Sequence, residues 1–136
     1  MELLAAYPIV VTDSLGQCRD FHSRWFGMQV LFEADWIVVL SGGGDAPAVA
    51  FMHSRHPSTP LSPAPYGGDG MFLTLQVADA RAEHERVTSA GLRLDLDLTD
   101  EPWGQRRFGV VDPAGMWVDV VEQIEPAPSW WEPYLS

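Results

Sequence analysis

The chain repeats itself, and that repetition limits its folds more than any other feature. An apolar strand, Pro8–Thr12, runs into Asp13, an amphipathic helix, a stop at Gly27 and a strand opening with Met28. The order returns as a strand over Met71–Ala78, then Asp79, a helical stretch to Ala90 and a stop at Gly91. Each Asp is placed as a helix N-cap, where a carboxylate accepts from orphan backbone N–H groups. Each Gly is placed where the chain must leave a helix with positive φ. Two copies of a strand–helix–strands unit predict a duplicated α+β domain with a ligand cavity between its halves.

The first helix carries Leu15, Cys18, Phe21, His22, Trp25 and Phe26 at three- and four-residue intervals, one apolar stripe. Met28–Ala34, Trp36–Ser41 and Ala48–His53 read as strands, with Gly42-Gly43-Gly44-Asp45 as the turn before the last. Ser54–Gly70, with its prolines and glycines, excludes a helix or central strand and reads as a linker. It is long enough to let the halves exchange between two chains. In the second copy, Leu92, Leu94, Leu96 and Leu98 alternate with charged residues, a strand with one face in water. Arg106–Val111 and Met116–Glu122 follow, joined by an Asp112-Pro113-Ala114-Gly115 turn. A single domain over 1–136 is expected, with module one at about 5–53, linker 54–70, module two at about 71–123 and an aromatic tail at 124–136. That tail holds Trp130, Trp131 and Tyr134, too aromatic to leave unpacked.

A formal net charge of −11 argues against nucleic acid, whose phosphates it repels, and favours a cationic or polyamine-bearing small molecule over an anionic one, though a solvated acidic surface accounts for it as well. All eight basic residues are arginine, so lysine Schiff-base and phosphate-loop lysine chemistry are excluded. No apolar run reaches the ~20 residues of a membrane helix, and no leader pattern opens the chain. No membrane partner and a cytoplasmic location are therefore expected. Cys18, the one cysteine, lies on the apolar helix side and reads as a core thiol.

The usual catalytic patterns are missing. Gly42–Gly44 lack the Lys and helix of a phosphate loop. His53 and His56 sit at a strand end and in a proline-rich loop, with no helix to bring them onto one face. No nucleophile elbow exists, and Cys18 has no evident base. Asp119 and Glu122, three apart on a strand, point to opposite faces and cannot work as a carboxylate pair.

The Val-Thr-Asp entry to the first helix, the Trp-Phe-Gly-Met exit, Glu101-Pro102-Trp103-Gly104-Gln105-Arg106 and the Asp112–Gly115 turn come in a telling order. With the duplication, from about Tyr7 to Gln123, they resemble the vicinal-oxygen-chelate superfamily, also called the glyoxalase and bleomycin-resistance superfamily. The resemblance implies paired βαβββ modules curling around a cavity, and a homodimer. Its enzymes hold a divalent metal with one side chain from each of four cavity strands. Those four places fall here on Ala6, Phe51, Phe72 and Asp119, of which only the last can donate to a metal. No metal or other cofactor is therefore expected.

Alternation from these places predicts the lining: Val49 and His53 with Phe51, Thr74 and Gln76 with Phe72, Trp117 and Val121 with Asp119. Trp103 is placed at the cavity mouth by the resemblance, and Trp36 opens a strand nearby. The ligand-binding residues expected are thus Trp36, Phe51, His53, Phe72, Thr74, Trp103, Trp117 and Asp119, with no catalytic residue. Aromatic faces stack on flat heterocycles and attract cations. The Pro-Trp-Gly-Gln-Arg segment and the Asp on the last strand resemble the mitomycin-binding type of antibiotic resistance protein. The resemblance therefore implies non-catalytic sequestration of a small aromatic natural product. Two alternatives stay open: an isomerase, lyase or dioxygenase of the same fold, and a scaffold whose aromatic tail docks a partner.

Overall fold

The computed structural model describes residues 1–55 and 64–135, so His56 and residues 57–63 of the expected linker lie outside it. The first copy is β1 (Ile9–Val11), α1 (Leu15–Phe26), β2 (Gln29–Ala34), β3 (Ile37–Ser41) and β4 (Pro47–Met52). The second is β5 (Leu73–Gln76), α2 (Ala80–Ser89), β6 (Leu96–Glu101), β7 (Gln105–Val111) and β8 (Trp117–Gln123). Each copy forms a four-stranded sheet, ordered β1-β4-β3-β2 and β5-β8-β7-β6, in which the first strand pairs parallel to the last. The duplication extends to irregularities. The register shifts between Val30 and Phe32 in β2 and between Leu96 and Thr99 in β6, the same strand of each module. Such bulges raise local twist and bend a sheet. The fold is α+β, built of tandem βαβββ modules. No helix among the described residues is long and apolar enough to cross a membrane.

The two modules pack as two units. β1 to β4 and α1 take in the turn Asp112–Met116, while β5 to β8 and α2 take in the C-terminal residues. In the first unit, α1 buries Cys18 and His22, and the His22 ring lies 5.2 Å from Phe51. Val10 and Val38 are the register partners of Phe51 and are buried on that side with it. His22 Nε2 sits 2.9 Å from Asp112 Oδ2, both side chains fully buried. The other Asp112 oxygen accepts from Ala114 N and Met116 N at 2.9 Å each, so one carboxylate fastens the turn to α1. Burial, with the Asp112 charge adding, pushes the Cys18 thiol up to about 12, as befits a core residue.

Both helices end as the glycines require. Gly27 adopts φ 65° and Gly91 φ 98°, a region that side chains with a Cβ avoid. The N-caps differ from expectation. Asp79 caps α2, accepting from Ala82 N at 3.0 Å, a bond worth about 1 kcal/mol. Asp13 does not cap α1. The cap residue is Ser14, with no side-chain bond, and Asp13 instead accepts from the Ser54 hydroxyl at 2.6 Å and Ser54 N at 3.3 Å. Two donors from the exit of β4 outcompete the helix end, and the Ser54 hydroxyl holds the Asp13 carboxyl below its ordinary range. The strand expected over Leu92–Leu98 also moves. Leu92 N still bonds Val87 O behind the helix, Asp95 N bonds Gly109 O, and the strand itself runs Leu96–Glu101.

Candidate functional site

In the second unit α2 packs on β6, β7 and β8, and the register then decides what the other sheet face carries. Glu122 accepts from Ala80 N, the first residue of α2, at 2.9 Å. Val118, Val120 and Glu122 therefore look toward the helix, and Trp117, Asp119, Val121 and Gln123 look away. Glu122 and Asp119 do fall on opposite faces. Across the ladder, Asp119 is level with Thr74 of β5 and Gly109 of β7, and Val121 with Gln76 and Arg107. The face turned from α2 thus carries Thr74, Gln76, Arg107, Gly109, Trp117 and Asp119, with Phe72, 57% exposed, beside it.

Trp117 reaches across to β7, and its indole covers Gly109. A Cβ at Gly109 would stand 2.1 Å from Trp117 Cζ2, so only glycine leaves room for the ring. Trp117 Nε1 donates to Asp119 Oδ1. Arg107, diagonal to Asp119, donates through Nη1 to Asp119 Oδ2 at 3.1 Å. Its guanidinium also stands 5.5 Å from the ring centroid of Trp103, in cation–π range, and its Nη2 lies 3.9 Å from Glu101. Trp103 in turn donates through Nε1 to Gln105 Oε1 at 2.9 Å. Trp103, Arg107, Asp119 and Trp117 form a connected row with a ring at each end and an ion pair between them.

Five of the eight expected ligand-binding residues, Phe72, Thr74, Trp103, Trp117 and Asp119, belong to this one unit. Four of them, all but Trp103 on its turn, sit on or beside the face turned from α2. Three others belong to the first unit, and two of these need correction. Phe51 is fully buried against His22 of α1, so it and Val49 lie on the helix side. Alternation then gives the opposite side to Ala50 and Met52. His53 follows β4 and faces Asp13 at 3.5 Å, while its Nδ1 accepts from Arg55 N at 3.1 Å. It fastens a loop. Trp36 lies half-buried in the turn before β3, where its carbonyl accepts from His53 N at 2.8 Å.

Asp119 itself is not a free anion. Arg107 neutralises it and Trp117 occupies its other oxygen, which removes the basis for a direct grip on a ligand cation. Arg107 was missed in the sequence because only the β7–β8 register brings it there. Its Nε is buried without a partner among the described residues.

The residues do not suit the metal centre of the family's enzymes. Ala6 is exposed ahead of β1, Phe51 faces α1, Phe72 offers only a ring, and Asp119 is engaged. Among the described residues no group of three His, Cys, Asp or Glu could hold an ion. A groove of about 410 Å³ in the first unit, lined by Leu15, Gly16, Arg19, Glu33 and Asp35 among others, is a weaker candidate. Its one cation, Arg19, is already bound to Glu33 at 2.8 Å and Asp20 at 2.9 Å.

Comparison with known proteins agrees with this architecture. TioX from Micromonospora sp. ML1 superposes with a TM-score of 0.69 at 22% identity, over 88% of this chain and 98% of its own. A glyoxalase/bleomycin resistance protein/dioxygenase from Nocardioides gives 0.73 at 15% identity, over 94% and 89%. Lactoylglutathione lyase from Agrobacterium tumefaciens gives 0.67 at 18% identity, over 89% and 95%. At these identities the likeness is one of fold. No curated protein matches the chain in sequence. The sequence pattern of one superfamily matches residues 5–120, and the chain belongs to it: the glyoxalase/bleomycin resistance protein/dioxygenase superfamily.

Proposed function

We propose that this protein binds a flat aromatic small molecule, an antibiotic or related natural product, and sequesters it without transforming it. The observation that supports this most is the indole of Trp117 laid over Gly109, with Trp103 nearby and a neutralised Arg107–Asp119 pair between them. Rings so fixed lose little entropy when a planar ligand stacks on them. Both carboxylates near these rings, Asp119 and Glu101, lie against Arg107, which suits binding better than acid–base work. The superfamily's name includes bleomycin resistance proteins, which agrees with a binder, and it includes enzymes as well.

The reading includes a homodimer. Ile9 and Phe32 are 46% and 59% exposed, apolar surface of a kind that a second copy would cover. Sedimentation equilibrium at micromolar concentration tests this, and a monomer there contradicts it.

Binding is tested with 9-aminoacridine and neutral acridine, followed by tryptophan fluorescence. Trp117→Ala or Trp103→Ala should weaken both by ~1–3 kcal/mol, mostly through the off-rate. Unchanged affinity in both variants would remove the site.

A further inference from the structure

The turn that carries Trp103 is gripped from outside the sheet. After β8 the chain folds back on it, and three consecutive carbonyls each receive a donor from the C-terminal segment. Pro102 O accepts from Ala127 N at 2.9 Å, Trp103 O from Trp131 Nε1 at 2.8 Å, and Gly104 O from Ile124 N at 2.9 Å. Gly104 makes the approach possible. It adopts φ 109°, and a Cβ there would stand 2.9 Å from Ile124 O.

The aromatic residues of the tail complete the hold. Trp130 lies 5.9 Å from Trp103, and packs on Trp131 at 4.8 Å and Tyr134 at 5.0 Å. The segment is braced within itself by Trp130 N to Ala127 O, Glu132 N to Ser129 O and a 3₁₀ turn over Glu132–Tyr134. Trp131 and Tyr134 remain 43% and 67% exposed, so burial in a core is not what these rings are arranged for.

We propose that residues 124–135 form a clasp that sets the position of Trp103, and through it Arg107, so that Trp130 and Trp131 are positioning residues for the ligand site. This rests on the binding reading above. A ring held by Trp130 at one side and by the Gln105 bond at its Nε1 presents Arg107 with a fixed cation–π partner. Without the clasp, the carbonyls of the turn would turn to water and the indole would sample other rotamers, so a bound planar ligand would pay that ordering entropy.

The test uses the full chain and acridine as probe. Trp131→Phe keeps a ring and deletes only the donor to Trp103 O; it should speed acridine dissociation by about three- to tenfold. Trp130→Ala should weaken binding by about tenfold or more and reduce the near-ultraviolet circular dichroism of the coupled indoles, and Trp130→Tyr should restore part of both. A merely structural tail would lower the thermal midpoint and leave the dissociation rate of the folded protein alone. Wild-type dissociation rates in both Trp131→Phe and Trp130→Ala, with Trp117→Ala still impaired, would overturn the clasp and leave the site standing. Wild-type binding in Trp117→Ala as well would instead overturn the site.

Discussion

Replacing Gly109 by alanine should disable the binding face with one methyl group. The added Cβ would stand 2.1 Å from Trp117 Cζ2 and 2.7 Å from Cε2, where ordinary contact needs about 3.4 Å or more. Neither β7 nor β8 can move aside, because they pair from Gln105↔Gln123 to Val111↔Trp117 in the centre of the sheet. The indole must therefore lift, losing its bond to Asp119 and the flat seat that a ligand would stack on. Overpacking of this kind costs ~1–3 kcal/mol of stability. At this chain length that lowers the thermal midpoint by about 3 °C per kcal/mol. Binding by the folded protein should fall as well, by the ~1–3 kcal/mol assigned to stacking on Trp117. Calorimetry, near-ultraviolet circular dichroism and an acridine titration on the folded protein measure the three effects. Gly44→Ala is the control, since nothing lies within 4 Å of its added Cβ and its φ is ordinary. A Gly109→Ala protein with wild-type dichroism and wild-type affinity would refute the reasoning.

Other outcomes follow from the same geometry. Asp112→Ala should destabilise the protein by about 1–3 kcal/mol, because it leaves buried His22 without its partner and strips the acceptor from Ala114 N and Met116 N; the double variant with His22→Leu should fall short of the sum in denaturant titrations. Cys18 should react with a disulfide reagent only on unfolding, since its thiol is fully buried and pushed up to about 12; rapid labelling of the native protein would contradict this. Asp13, Asp20, Asp97 and Asp100 are held below the ordinary 3.8, by the Ser54 hydroxyl, Arg19, the Leu98 N–H and Arg106 respectively. Folded carboxyls lowered in this way bind fewer protons than unfolded ones. Their stabilisation is present above about pH 4 and lost as pH falls through the folded values, so Asp100→Asn should flatten the acid side of the midpoint–pH curve.

Much of the fold was legible because local chemistry and the global pattern agree. Gly27 and Gly91 stop both helices with positive φ, and Asp79 caps α2 as its position predicts. Asp13 looked the same in sequence and behaves differently, because Ser54, far along the chain, supplies two donors. The face of β8 was legible too, since one side meets α2 and the other carries Trp117 and Asp119. In β4 alternation could not decide. Val49, Ala50, Phe51 and Met52 are all buried, so neither side reads as the wet one, and Phe51 was placed on the wrong face. Arg107 and Gly109 escaped notice for a related reason: their partners lie on β8, and only the register shows the pairing.

The central claim is that the second sheet's face turned from α2 holds a flat aromatic molecule and returns it intact. The most direct measurement incubates the protein with an excess of 9-aminoacridine, separates bound from free, denatures the complex and weighs the released compound by mass spectrometry. The account predicts saturable, stoichiometric retention that Trp117→Ala weakens, and release at the starting mass after long incubation. No retention, or a product of altered mass accumulating beyond one equivalent per chain, would contradict it.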